Sequence, residues 1–167
     1  MFDGDFMRKG VTSEVFVFIS ALILMALILV FGIKSIKDLK NTSDNAELGL
    51  FVKNLKNEIE VFYNNDVGSS KKIKLVIPKE VEKVCIFTKE YPATKNENEL
   101  DDILKYTNNN LFFIPVENFK INKITIPYLR NDKDENPLCI ETKGVFNGVI
   151  EVKADNENVF VEMRREI

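Results

Sequence analysis

"VFVFISALILMALILVFGI", Val15 to Ile33, is the stretch that decides the fold. It carries no charge over roughly 19 residues, about the length that crosses a hydrocarbon core as a helix. Membrane insertion is the first expectation. A secretory signal peptide has a shorter apolar region, roughly 7 to 15 residues, followed by a small-x-small cleavage site. Here the run leads directly into Lys34, Ser35, Ile36 and Lys37. Removal by ordinary signal peptidase fits that pattern poorly.

Beyond Ile33 the apolar periodicity becomes one-sided. Leu48, Val52, Leu55, Ile59 and Phe62 fall at the spacing that lines one stripe of a helix, while Lys53, Lys56, Asn57, Glu58 and Glu60 lie elsewhere. Ile33, Ile36 and Leu39 extend the same helix out of the membrane. Between them, Asn41-Thr42-Ser43-Asp44-Asn45 is a poor helix interior, and Asp44 with Glu47 can form a capping box that restarts the helix after a kink. If unbroken from Val11 to about Asn64, the helix is roughly 80 Å long. No small globular domain buries such a helix by itself.

From Val67 the pattern changes to strands. Residues 72–77 alternate and stop at Pro78, and Val84 to Phe87 follow after a charged turn. Tyr91 to Asn98 reads as loop and Glu99 to Tyr106 as a short helix. Residues 111–116, 119–128, 138–142, 149–153 and 159–163 complete the strand candidates. The first two contain or end near prolines, which argues for edges or bends. The last two are joined as a hairpin through residues 154–158. The expected class is α+β: a long N-terminal helix, membrane-spanning then amphipathic, packed on a small antiparallel β-rich head. Its expected divisions are residues 1–10, a helix over 11–65 with the span at 15–33, and a head over 66–167.

Composition excludes several functions. The chain has 167 residues, a formal charge of -3 and a pI near 5.2, with Lys interspersed among Glu and Asp. That balance offers no basic surface for nucleic acid, which is dropped as a partner. There is no His and no Trp, so the most versatile acid/base group and the commonest metal ligand are missing. The acid clusters Asp101-Asp102 and Asp132-Asp134-Glu135 lack a partner constellation, and Asn136-Pro137 stands where a calcium loop needs its glycine. The expectation is no enzyme activity, no cofactor and no metal.

The segment Arg8-Lys9-Gly10-Val11-Thr12-Ser13-Glu14, followed by the apolar run, resembles the leader of a type IV prepilin, especially the archaeal kind. The resemblance implies that a membrane-embedded prepilin peptidase cuts on the cytoplasmic side between Gly10 and Val11 and leaves the apolar helix on the mature protein. Residues 1–10 would then be the leader. Met7 is an alternative start, leaving only Met7-Arg8-Lys9-Gly10 and removing Asp3 and Asp5. Bacterial relatives carry a glutamate five residues into the mature chain; Glu14 is fourth. The implied function is a major or minor subunit of a surface filament serving adhesion, secretion or filament assembly. Its partners would be the peptidase, other subunits and the membrane.

Glu14 also has a physical reading. A carboxylate at the centre of a membrane helix costs about 2.5 to 3.5 kcal/mol on insertion scales, and far less near an end. A new α-amino group at Val11 of a neighbouring subunit would attract Glu14 by about 4 kcal/mol at 4 Å and an effective dielectric near 20, before desolvation. Glu14 then sets axial register. The alternative is an interfacial residue on a plain anchor, in an uncleaved single-pass protein whose outer head binds a ligand or partner. Charge does not choose the orientation, since Arg8 and Lys9 on one side oppose Lys34, Lys37 and Lys40 on the other. The resemblance implies a cytoplasmic N-terminus and an outer head.

Cys85 and Cys139 are the only cysteines, each among apolar strand neighbours. In an outer head, a bridge between them closes a loop of roughly 55 residues, worth about 4 kcal/mol in the chain-entropy model. Two buried free thiols are the alternative. Asn41-Thr42-Ser43 is the one N-x-[ST] triplet, a candidate glycosylation acceptor just past the membrane exit.

Overall fold

The computed structural model of the chain describes residues 8–94, 104, 107–115, 119–155 and 158–166, with side chains from Val15 onward. The chain forms two compact units, one reaching to Thr42 and one from Ser43 to Ile167. A single helix, α1, runs from Arg8 to Tyr63. Residues 41–45, expected to interrupt the helix, are helical throughout. Thr42 donates its hydroxyl to the Asp38 carbonyl one turn back at 2.9 Å, and Asn45 Oδ1 accepts the Lys120 N–H at 3.0 Å. These polar side chains find partners without interrupting the helix, so no capping box is needed at Asp44. The true stop is Asn64-Asn65-Asp66. There the Asn64 amide donates to the Glu60 carbonyl at 2.9 Å, serving one of the acceptors a helix end leaves unpaired. Gly68, at φ 90°, then turns the chain into the first strand.

The unit from Ser43 onward is the head, and roughly the last six turns of α1 belong to it. Its strands are β1 (Ser70–Val76), β2 (Lys83–Ile86), β3 (Leu111–Ile114), β4 (Lys123–Ile124), β5 (Leu129–Asn131), β6 (Leu138–Glu141), β7 (Val145–Ala154) and β8 (Val159–Arg164). They make two four-stranded sheets, ordered β1-β7-β8-β5 and β4-β3-β2-β6. The α+β class is as expected. Pairing is antiparallel except that β5 runs parallel to β8, so the first sheet is mixed.

The helix stripe and both sheets share one core. Leu48, Phe51, Val52, Leu55, Ile59 and Phe62 of α1 pack with Ile73, Val84, Ile86, Leu111, Phe113, Leu138, Phe146, Ile150 and Val161, among others. Phe51 meets Phe113 and Phe146 edge-on, at 5.9 and 5.5 Å between ring centroids, a favoured aromatic geometry. The predicted stripe is the buried face, with Phe51 added to it. Glu58 ties the same helix to β1 through Lys71 at 2.6 Å.

The second sheet is covered on both faces. Val84, Ile86, Leu111, Phe113, Leu138 and Ile140 point to the main core, while Cys85, Phe112, Ile114 and Cys139 form a smaller cluster with Phe87 and Leu104. Hence the strands read as unbroken apolar runs rather than alternating ones. In the first sheet, β7 alternates buried with less buried residues along its length.

Two strand expectations need correction. Residues 119–128 form almost no strand beyond Lys123–Ile124, because side chains take the place of ladder partners. The Lys120 N–H goes to Asn45, the Ile126 N–H goes to Asn110 Oδ1 at 2.8 Å, and Pro127 has no N–H to give. β7 begins at Val145 rather than Val149, since Gly144 turns at φ 80° and Val145 to Gly148 then pair with Val76 to Ile73. The expected helix at 99–106 and the loop at 95–98 lie outside the described residues, apart from Leu104, which is helical.

Candidate functional site

Among the described residues, the apolar part of α1 and a cleft in the head are the candidates for contact with other molecules. Along the first, every large apolar side chain from Val15 to Leu39 is exposed, from 48% at Leu27 to 73% at Phe16. The most apolar window has a mean hydropathy of 3.0, and none of it is buried. By length and composition this helix can cross a membrane, so membrane anchoring is compatible with it. Apolar surface of this extent on a water-soluble chain would drive association.

Gly10, Val11 and Glu14 fall in the first turns of α1; their side chains lie outside the described residues. Asn41 is exposed on the helix close to the end of the first unit. Cys85 and Cys139 are disulfide-bonded, with S–S 2.04 Å. They sit opposite each other on neighbouring strands β2 and β6, inside the smaller cluster. The bond joins residues 54 apart in sequence and constrains the unfolded chain by about 4 kcal/mol on the loop-entropy estimate. The acids at Asp132, Asp134 and Glu135 are absorbed locally. Asp132 accepts the Asp134 N–H at 3.1 Å, and Glu135 pairs with Arg165 at 2.9 Å.

That turn is held by a buried amide network. Asn131 and Asn136 are fully buried. The Asn136 amide donates to the carbonyls of Thr88 and Tyr91 at 3.0 and 2.9 Å and accepts the Thr88 N–H at 3.1 Å. Asn131 donates to the Glu135 carbonyl at 2.7 Å. Buried amides satisfied in this way lock the two loops together.

The cleft in the head has a volume of about 360 Å³. One wall is aromatic: Tyr63, the last helical residue, stacks on Tyr128 at 3.9 Å with 17° between the rings. Tyr128 has φ 64°, a left-handed conformation that a bulky side chain rarely adopts. Its carbonyl accepts the Val161 N–H at 2.8 Å. The other wall is polar and internally braced. Asn109 donates to Thr107 at 2.9 Å and accepts from the Thr125 hydroxyl at 3.1 Å, while Lys89 donates to Asn108 at 3.2 Å. Asn110 is spent on structure, donating to the carbonyls of Ile126 and Leu129 at 2.8 and 2.9 Å.

Arg130 closes one end of the cleft. Its guanidinium lies 4.6 Å above the Phe160 ring and pairs with Asp155 at 3.0 Å. Burial works against its charge, but Tyr91, Glu90 and Asp155 outweigh burial, so its pKa is raised. Reading the sequence did not find this cleft. The signals were a run of neutral polar residues, Thr107-Asn108-Asn109-Asn110, and Pro127-Tyr128, neither of which announces a site without the fold.

Comparison with protein-family models, with curated proteins and with solved structures finds no match.

Proposed function

We propose that the chain is a pilin-like structural subunit. It enters the membrane as a precursor, loses residues 1–10 to a prepilin peptidase, and assembles with other subunits into a cell-surface filament. The observation that carries this proposal is the division of α1. One half has apolar side chains exposed all round, and the other buries a single stripe in a β-rich head. Such a helix is stable in lipid before assembly and among neighbouring helices afterwards, while the head stays folded in both settings.

In this mechanism Val15 to Ile33 anchors the subunit, N-terminus cytoplasmic and head outside. Glu14 pairs with the freed α-amino group of Val11 on a neighbour. The disulfide fits a head outside the cytoplasm, where such bonds persist. The role is structural, in adhesion, secretion or filament bulk, rather than catalytic.

Intact-mass measurement on native protein tests the proposal. A mature chain beginning at Val11 is expected, and one retaining Arg8-Lys9-Gly10 defeats it. A Glu14→Ala substitution is expected to lower filament yield; unchanged yield removes Glu14 from the mechanism.

A further inference from the structure

The cleft beside the stacked tyrosines plays no part in anchoring or assembling the chain as proposed above. We propose that it binds a neutral pyranose sugar, such as a terminal hexose or N-acetylhexosamine of a glycan. Its volume of about 360 Å³ lies within the roughly 300 to 1,000 Å³ of small-molecule sites.

Three properties select the ligand class. The first is the aromatic wall. Tyr128 stacks on Tyr63 through one face and is nonetheless 49% exposed. The C–H face of a pyranose ring is apolar and flat enough to lie on such a ring, with hydroxyl groups projecting at its edge. The second is the polar lining formed by Thr107, Asn108, Asn109 and Thr125. Amides and hydroxyls both donate and accept, as sugar hydroxyls do. The hydrogen bonds between Asn109 and its two threonine neighbours fix these groups in advance, which lowers the entropy lost on binding.

Charge is the third property, and it argues against an anion. Lys89 and Arg130 border the cleft, but Asp155 pairs with Arg130 and Glu90 lies close enough to act on the same guanidinium. Both carboxylates act on Arg130, while the Lys89 ammonium donates to the neutral Asn108 amide at 3.2 Å. A phosphate or carboxylate ligand seated on Arg130 would have to displace those partners, whereas a neutral polyol does not.

The backbone at Tyr128 points the same way. A tyrosine held at φ 64° is in a strained backbone conformation, and strain of that kind concentrates at binding sites. Here it sets the ring against Tyr63 at the mouth of the cleft. The inference stands on the cleft alone and does not depend on filament assembly, because a subunit that never polymerises would bind the sugar equally well.

The test uses the full chain in lipid nanodiscs, prepared without glycosidic detergents, and saturation-transfer NMR with glucose, galactose and N-acetylglucosamine. At least one sugar is expected to bind with a Kd of about 1 mM or tighter. Tyr128→Gly, which suits the left-handed backbone while removing the ring, is expected to weaken that binding at least tenfold. Asn108→Ala, in the polar lining, is a second variant expected to weaken binding in the same direction. Absence of transfer from all three sugars overturns the proposal. So does binding that both variants leave unchanged, or binding of inorganic phosphate at the same residues in preference to the sugars.

Discussion

From Val15 to Leu39 the apolar side chains of α1 stand in the open, Phe16 by 73% and Ile28 by 70%, whereas from Leu48 to Phe62 the stripe is at most 8% exposed. Both regions are rich in large apolar residues, and they belong to one helix. They differ in how those residues are distributed round the axis. A stripe needs a partner on one side only, and the head supplies it; a helix apolar on every side needs partners all round. Under the function proposed here, those partners come from outside the chain, first as lipid and then as neighbouring helices. The head half is thus tuned for folding, and the exposed half for its surroundings.

Substitutions can break this contrast, and the largest effect is expected in the core. Phe51→Ala removes a ring buried to 1% and held between Phe113 and Phe146. It should cost about 3–5 kcal/mol in denaturant unfolding of the full chain followed by near-UV circular dichroism. Leu24→Ala, of comparable chemistry in the exposed half, should leave that transition unmoved; a loss above about 1 kcal/mol would mean that the two halves are energetically joined. Leu24→Lys should behave oppositely to Phe51→Ala. It should reduce membrane insertion by about 2.5 to 3.5 kcal/mol, read as the membrane-integrated fraction, while head unfolding stays the same.

A smaller effect is expected where the head half begins. Asn45→Ala removes the acceptor for the Lys120 N–H and should cost about 1 kcal/mol of head stability. Least of all, Glu58→Gln weakens a half-exposed ion pair with Lys71 and should change stability by under about 1 kcal/mol, less still at high salt.

How much of this was visible in the sequence differs between the same regions. The helix stripe was legible from spacing alone, because a period of 3.6 with charges between the apolar residues has one structural solution. Phe51 escaped it, since Phe51 and Val52 are adjacent and a simple 3–4 step keeps only one of them. Continuity through residues 41–45 was hidden, because one partner of these polar side chains, Lys120, lies 75 residues away in sequence. In the second sheet β2, β3 and β6 were found as apolar runs, while the restriction of residues 119–128 to the short strand β4 depends on Asn45 and Asn110 capturing backbone N–H groups. The cleft was least legible. Tyr63 and Tyr128 meet only because the helix ends where the chain entering β5 turns left-handed, and no local pattern records that meeting.

The central claim is that the exposed half of α1 ends up packed against other copies of itself, and crosslinking tests it most directly. A photo-crosslinking phenylalanine analogue placed at Phe31, 66% exposed, and irradiated in intact cells should yield a ladder of covalent multimers extending beyond the dimer. Adducts confined to single chains bearing lipid would contradict it and leave α1 as a plain membrane anchor.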